Sequence, residues 1–159
     1  MRVMGIDPGT REAGFGVVEA QGNRLVFVEC GTVKARGDDS VPARLKTIFL
    51  GLRGAVERLK PEVVSIEEVF YGKNVASALR MGEGRGVAIV AAAMAGVEVV
   101  EYAPAAVKSS VVGNGRASKE QIQEMVRLLL GLAAVPKPDH AADALAMAIC
   151  HCNRGRMPF

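Results

Sequence analysis

Short apolar runs that end at turn-forming residues predict five β-strands. The runs combine β-branched or alternating apolar residues with Gly, Pro, Asn or charged residues at their ends, as strands do. They cover residues 2–7, 15–20, 25–33, 63–67 and 97–102. The second and third runs are joined by Gln21-Gly22-Asn23, a sequence typical of a tight turn.

Helical spacing of apolar residues accounts for most of the remaining chain. It predicts one helix over residues 45–59 and a second, rich in small residues, over residues 75–95. A short helix opens at Pro104, another follows the capping residue Ser118, and the last runs from about Pro138 towards the end of the chain. Three strands, followed by helices that alternate with two further strands, predict an α/β fold: a mixed sheet with helices on its faces.

The composition is that of one ordinary domain. Half of the 159 residues are hydrophobic and 4% are aromatic, which suits helices packed closely on a sheet. No repeat, low-complexity tract or linker interrupts the pattern, so we expect a single domain over residues 1–159. The net charge of +3 favours a polyanionic partner only weakly, and the arrangement of the charges has to decide.

The cysteines and the apolar runs indicate where the protein works. Three cysteines, an odd number, argue against a disulfide framework and for a reducing compartment. A zinc site at Cys150-His151-Cys152 is disfavoured because no second Cys/His pair exists to complete it. No signal-peptide pattern stands before the first strand, and the longest apolar stretch, residues 87–97, is too short to cross a bilayer. We therefore expect a cytoplasmic protein that does not enter the membrane.

Acidic residues stand where the predicted fold places active sites. Asp7 and Glu67 each end an apolar strand, and Asp139, His140 and Asp143 begin the final helix. Carboxylates brought together repel each other unless a divalent cation offsets their charge, and Mg²⁺ prefers oxygen ligands. Two such ions can activate a water and stabilise the leaving oxygen of a phosphoryl displacement. The cluster therefore indicates a divalent-metal site suited to phosphoryl displacement, and it does not fix the substrate.

Each acid also has a simpler interpretation. Asp7 stands before Pro8-Gly9, which is good turn chemistry, and the neighbouring Glu68 is an alternative ligand to Glu67. Asp139 suits a helix start because of the helix dipole. Asp143, within an alanine-rich helix, is hardest to explain without a partner, since unpaired buried carboxylates are costly.

Several motifs in a fixed order resemble one family over nearly the whole chain. They are Ile6-Asp7-Pro8-Gly9-Thr10, Ile66-Glu67-Glu68-Val69-Phe70, Ala88-Ile89-Val90-Ala91, Glu101-Tyr102-Ala103-Pro104 with Val107-Lys108, Val111-Val112-Gly113, and His140-Ala141-Ala142-Asp143-Ala144-Leu145-Ala146. Together they resemble the RuvC family of bacterial Holliday junction resolvases.

The resemblance implies a fold, a reaction and partners. The fold is RNase H-like, with a five-stranded mixed sheet flanked by helices. The reaction is paired hydrolysis of DNA phosphodiester bonds at a four-way junction, during recombination and repair, by a homodimer that meets the RuvA-RuvB branch-migration complex. Asp7, Glu67 and Asp143 match the metal-binding acids. His140 falls on the fourth ligand position, and two Mg²⁺ ions in each active site, or Mn²⁺, are the implied cofactors.

The resemblance also implies a DNA-binding set. Phe70 matches an aromatic residue that stacks on bases, and Tyr71 and Lys73 beside it make a plausible stacking platform with a basic flank. Lys108 and Lys119 match lysines near the cut strand. The simpler interpretations are that Phe70 caps the core edge and that both lysines are solvated. Further arginines extend the basic surface if they face the DNA: Arg80, Arg85, Arg116, Arg154 and Arg156.

Three other functions stay open at this point. A junction-binding module with weak catalysis would keep Phe70 and the lysines, with His140 marking the loss. An RNA-processing nuclease of the same fold is disfavoured by the aromatic residues after Glu67. A phosphotransferase of the actin and sugar-kinase type also ends its first strand in an Asp-x-Gly-Thr loop, but it needs two copies of the unit and a longer chain.

Overall fold

The computed structural model describes residues 1–68 and 74–154, and its centre is one mixed sheet. The strands are β1 (Arg2–Asp7), β2 (Glu12–Gln21), β3 (Arg24–Lys34), β4 (Val63–Glu67) and β5 (Glu98–Tyr102). Their order across the sheet is β3-β2-β1-β4-β5. The first three strands are antiparallel neighbours, whereas β1, β4 and β5 run parallel, so their carboxyl ends meet at one edge.

Helices cover both faces of this sheet. They are α1 (Val41–Leu59), α2 (Val75–Met94), α3 (Pro104–Val112), α4 (Lys119–Leu129) and α5 (Asp139–Arg154). One core joins α1 and α2 to the face that carries Met4 and Ile6, and a second joins α3, α4 and α5 to the face that carries Val3 and Val18. Successive strand residues therefore enter opposite cores, which explains why the buried residues of β1 and β4 are almost all apolar on both faces.

The predicted α/β architecture is confirmed, with differences at the element ends. The second and third strands extend further than their apolar runs because their outer residues still pair with each other, from Glu12 with Lys34 to Gln21 with Arg24. Helix α1 begins at Val41 rather than at residue 45, because Ser40 caps it and accepts a hydrogen bond from the amide of Ala43. The capping box predicted at Ser118 is present.

Among residues 1–68 and 74–154, no helix combines the length and apolarity needed to cross a membrane.

Candidate active site

Asp7 and Glu67 lie side by side at the edge where the parallel strands end. Strands β1 and β4 pair in parallel with Ile6 opposite Ile66, so the next residue of each strand is its acid. The Asp7 side chain is 23% exposed, and Glu67 is also partly buried. The two acids therefore lie at the carboxyl edge of the sheet, partly buried and partly exposed to water.

Helix α5 reaches these acids because the strands beneath it carry glycines. A Cβ atom built at Gly5 would lie 1.8 Å from the carbonyl oxygen of Ala144, and one at Gly14 would lie 2.1 Å from that of His140. Neither position has room for a side chain, so helix and sheet backbones are in direct contact. The buried Ser65 hydroxyl donates to the carbonyl of Met147 at 3.0 Å and fixes the helix to β4 as well.

The first turns of α5 bring His140 and Asp143 to the same place. The Nδ1 atom of His140 lies 2.5 Å from Oδ2 of Asp7, within hydrogen-bonding distance. Asp143 is three residues further along the helix, on the same side. Its Oδ2 atom lies 3.1 Å from the ammonium of Lys119, which projects from the start of α4.

The electrostatics of the site fit a cation-binding role. Burial raises the pKa of the Asp7 carboxyl above its ordinary value, with His140 opposing the shift and Asp143 adding to it. Burial also raises the pKa of Glu67, and the charges of Asp7 and Asp143 raise it further. The hydrogen bond to Asp143 raises the pKa of Lys119. The carboxylates thus destabilise each other's charge, which a bound cation would relieve.

The acidic side chains of the site do not all point to one common position. Within the described ranges, no three His, Cys, Asp or Glu side chains come together closely enough to hold a metal ion. Instead, Asp7 is engaged by His140 and Asp143 by Lys119. The donor chemistry still suits a hard divalent cation, because carboxylate oxygens predominate and their charges are only partly offset.

A cavity of about 260 Å³ adjoins the acids on the side of α3 and α4. Its polar lining is Glu67, Asp143, Lys108 and Lys119, and its floor is apolar. Two of the predicted DNA-binding lysines therefore line the same recess as two of the predicted metal ligands. This arrangement puts two ammonium groups beside two carboxylates, and ammonium groups can bind phosphates.

The structure separates His140 from its alternative, Asp139. Asp139 lies 2.8 Å from Lys137 and 3.5 Å from Lys119, and its side chain is 47% exposed. Lys137 lowers the pKa of Asp139. Within residues 1–68 and 74–154, Asp139 forms ion pairs with these two lysines and makes no hydrogen bond or ion pair with Asp7. Glu68, the alternative to Glu67, is exposed, and its amide donates to the carbonyl of Tyr102.

Other predicted residues have varied positions. Phe70, Tyr71, Lys73 and Arg156 lie outside the described residues. Arg80 and Arg116 are both exposed. Arg154 covers the ring of Tyr102, 4.9 Å from its centroid.

The disfavoured zinc motif takes another role in α5. Cys150 and Cys152 are buried free thiols, and His151 lies 2.8 Å from the hydroxyl of Tyr102. Burial lowers the pKa of His151. In the part of the chain that the structure describes, these residues form no metal cluster.

Sequence reasoning missed the residues that bring the site together. Gly5 lies inside one predicted strand and Gly14 just before another, and an isolated glycine in a strand signals close backbone approach. Arg85 was assigned to the basic surface, yet its side chain contacts Glu101 and the backbone of Glu67.

The family assignment follows from a comparison of the whole chain with known proteins. A family model described as crossover junction endodeoxyribonuclease RuvC matches residues 3–151, which include all four predicted metal ligands. The chain belongs to the RuvC family. The resemblance drawn from the motifs is thereby confirmed.

Individual relatives agree along most of their length. The RuvC of Chloroflexus aggregans is 54% identical over 151 residues, covering 95% of this chain and 92% of that protein. The RuvC of Rubrobacter xylanophilus is 47% identical, covering 98% and 87%. The structure of Thermus thermophilus RuvC in complex with Holliday junction substrate matches with a TM-score of 0.92 at 38% identity, covering 99% of this chain and 96% of that one.

A more distant structure supports the fold alone. The yeast mitochondrial Holliday junction resolvase Ydc2 matches with a TM-score of 0.68 at 14% identity, over 95% of this chain and 77% of that one. The predicted RNase H-like architecture is thus confirmed. Membership of the RuvC family, whose members are metal-dependent nucleases, confirms that the chain is a nuclease and disfavours the other three functions considered above.

Proposed function

We propose that this chain resolves Holliday junctions by hydrolysing two opposed DNA strands, leaving a 5′-phosphate and a 3′-hydroxyl at each cut. The observation that carries the proposal is the placement of Asp7, Glu67, His140 and Asp143 at one edge of a RuvC-type sheet. The similarity to a junction-bound RuvC supports the same substrate. Recombination and repair of DNA, in the cytoplasm, is the corresponding role.

The acids would hold two Mg²⁺ ions, with Mn²⁺ as a substitute. Asp7 and Glu67 would hold one ion, and Asp7, Asp143 and His140 the other. When bound, the ions supply an activated water and charge stabilisation for an in-line displacement. The raised pKa values of Asp7 and Glu67 support this assignment, because burial and mutual repulsion are relieved by a cation.

The other residues of the site bind and orient. His140 fixes the direction of the Asp7 carboxylate through their 2.5 Å contact. Lys119 offsets the charge of Asp143, and with Lys108 it flanks the recess beside the acids, where both can bind DNA phosphates. The apolar floor of that recess, which includes Val107 and Ile122, excludes water from one side of the acids.

Junction recognition is proposed for the segment after β4. Phe70 and Tyr71 would stack on unpaired bases, with Lys73 at their side, as in other single-strand platforms. Phe70 comes three residues after Glu67 in the chain, so the DNA bases that stack on it would lie beside the metal site. Junction preference would then come from the aromatic rings and cutting from the acids.

A homodimer is proposed because paired cuts need two sites. Helix α2 carries a row of exposed apolar side chains at helical spacing: Val75, Leu79, Val90 and Met94. Leu79, for example, is 67% exposed. Beside the row, a groove of about 560 Å³ between α1 and α2 is lined by Phe49, Gly82, Gly86 and Val87 among others. A second copy of α2 would cover this surface, and the RuvA-RuvB complex would bind elsewhere.

The test offers the protein a labelled four-way junction and a duplex of the same sequence. With Mg²⁺ we expect paired nicks in the junction and none in the duplex, and with EDTA we expect binding without cutting. Light scattering at micromolar protein should give the mass of two chains. Equal cutting of both substrates, or junction cutting that persists in EDTA, would refute the proposal.

A further inference from the structure

Arg85 of α2 is directed at the strand ends of the active site. Its side chain is 19% exposed, and its Nε donates to the backbone oxygen of Glu67 at 3.3 Å. A terminal nitrogen of the same guanidinium lies 2.5 Å from Oε2 of Glu101. A guanidinium presents several donors in one rigid plane, so it can engage two acceptors at once. Arg85 thereby joins α2 to both β4 and β5.

The contact falls on the peptide unit that follows Glu67. The N–H of this unit, which belongs to Glu68, donates to the carbonyl of Tyr102 at 2.9 Å. Its carbonyl, which belongs to Glu67, accepts from Arg85. Because both polar groups of one planar unit are bonded, rotation of the backbone at Glu67 is opposed from two sides.

The residue before Arg85 contacts the turn that follows the other acid. A Cβ atom built at Gly84 would lie 2.8 Å from the carbonyl carbon of Gly9 and 3.0 Å from its oxygen. The backbones of α2 and the turn after Asp7 are therefore in contact. One turn of α2 holds the strand ends of Asp7 and Glu67 at a fixed spacing.

We propose that Arg85 is a positioning residue, anchored by Glu101, that holds Glu67 in place relative to Asp7 so that both can bind one metal ion. This inference rests on the proposed function, in which those two acids share an ion. It differs from a role for Arg85 in the basic DNA surface, because the guanidinium is mostly enclosed and already paired with a carboxylate.

The test compares metal binding with DNA binding in Arg85→Met, which keeps the aliphatic stem and removes the guanidinium. Loss of such an outer partner typically weakens metal affinity or activity by about 10–100-fold. We expect that loss in Mn²⁺ binding to the protein alone, measured by calorimetry, and in the Mn²⁺ concentration that half-saturates junction cutting. Junction binding in EDTA should stay as in the parent. Glu101→Gln, at an exposed side chain, should shift both metal readouts in the same direction, less strongly.

The matched control is Arg58→Met. Arg58 also joins a helix to a strand, since its guanidinium lies 2.6 Å from Glu29 of β3, but it is remote from the acids. Arg58→Met should bind Mn²⁺ with the affinity of the parent and should need the same Mn²⁺ concentration to half-saturate junction cutting.

Two outcomes would overturn the inference. One is parental Mn²⁺ affinity in Arg85→Met and in Glu101→Gln. The other is weaker junction binding by Arg85→Met in EDTA, with a salt slope reduced by about 1, which identifies a phosphate contact. A parent chain that does not cut junctions would refute the proposed function, while Mn²⁺ binding would still decide the role of Arg85.

Discussion

Gly14→Ala tests whether the close approach of α5 to the sheet assembles the active site. Gly14 pairs with Asp7 across β1 and β2, and it lies beneath His140. A Cβ atom at this position would lie 2.1 Å from the carbonyl oxygen of His140 and 2.9 Å from its Cβ. The φ angle of Gly14 is not positive, so alanine suits the backbone and only the contact opposes it.

The size of the effect follows from the distance that α5 must move. Its start has to retreat by more than 1 Å to bring that oxygen from 2.1 Å to an ordinary contact distance of at least 3.4 Å. Misplacement of reacting groups by about 1 Å can cost ~10²-fold in rate. Overpacking of a buried contact typically costs ~1–3 kcal/mol. Since a domain is stable by ~5–15 kcal/mol, the variant should still fold. We therefore expect cutting to fall by about 100-fold in a folded protein with a modestly lower melting temperature.

Single-turnover cleavage of a labelled junction, with thermal unfolding measured on the same samples, distinguishes these effects. Gly54→Ala is the control, because a Cβ atom at this helical position meets nothing within 4 Å. Alanine there should leave the cutting rate unchanged and stabilise α1 by up to ~1 kcal/mol. Parental cutting by Gly14→Ala would refute the idea that α5 must lie directly on β2 for His140 to reach Asp7.

Three further predictions test the remaining assignments. Asp7→Asn should keep junction binding and abolish cutting. Because burial raises the pKa of Asp7, ionisation at that site destabilises the metal-free fold, so without metal the variant should melt above the parent at pH 7. It should lose this advantage as the pH falls from the raised pKa of Asp7 towards the ordinary value of 3.8, and an equal difference at all pH values would contradict this. Phe70→Ala should reduce junction cutting through loss of a stacking contact worth ~1–3 kcal/mol, with metal binding unchanged, and equal activity would make Phe70 a packing residue. Mn²⁺ should support faster cutting than Mg²⁺, because the imidazole of His140 suits Mn²⁺ better than Mg²⁺, and His140→Asp should reduce the ratio of the two cutting rates. If His140→Ala cuts normally and Asp139→Ala is inactive, Asp139 rather than His140 is the fourth metal ligand.

The strand ends were predictable from sequence because one local rule gives them. An apolar run followed by an acid and a turn sequence ends a buried strand at the sheet edge, so Asp7 and Glu67 could be located without a structure. The approach of α5 obeys no local rule, because it depends on Gly5 and Gly14, which lie in different strands that pair only in the folded sheet. The direction of Arg85 was also hidden, since its partner Glu101 belongs to a strand that follows later in the chain.

The partners of the acids explain how such a site exists before metal arrives. Basic groups from three helices contact the site: His140 of α5 contacts the Asp7 carboxylate, Lys119 of α4 contacts the Asp143 carboxylate, and Arg85 of α2 contacts the backbone carbonyl of Glu67. Buried carboxylates without such partners would be costly, so these contacts make the metal-free fold tolerable. Lys119 contacts one oxygen of Asp143, so a metal ion that binds that oxygen has to displace Lys119. Arg85 differs from His140 and Lys119, because it bonds the backbone and leaves the Glu67 carboxylate available as a ligand.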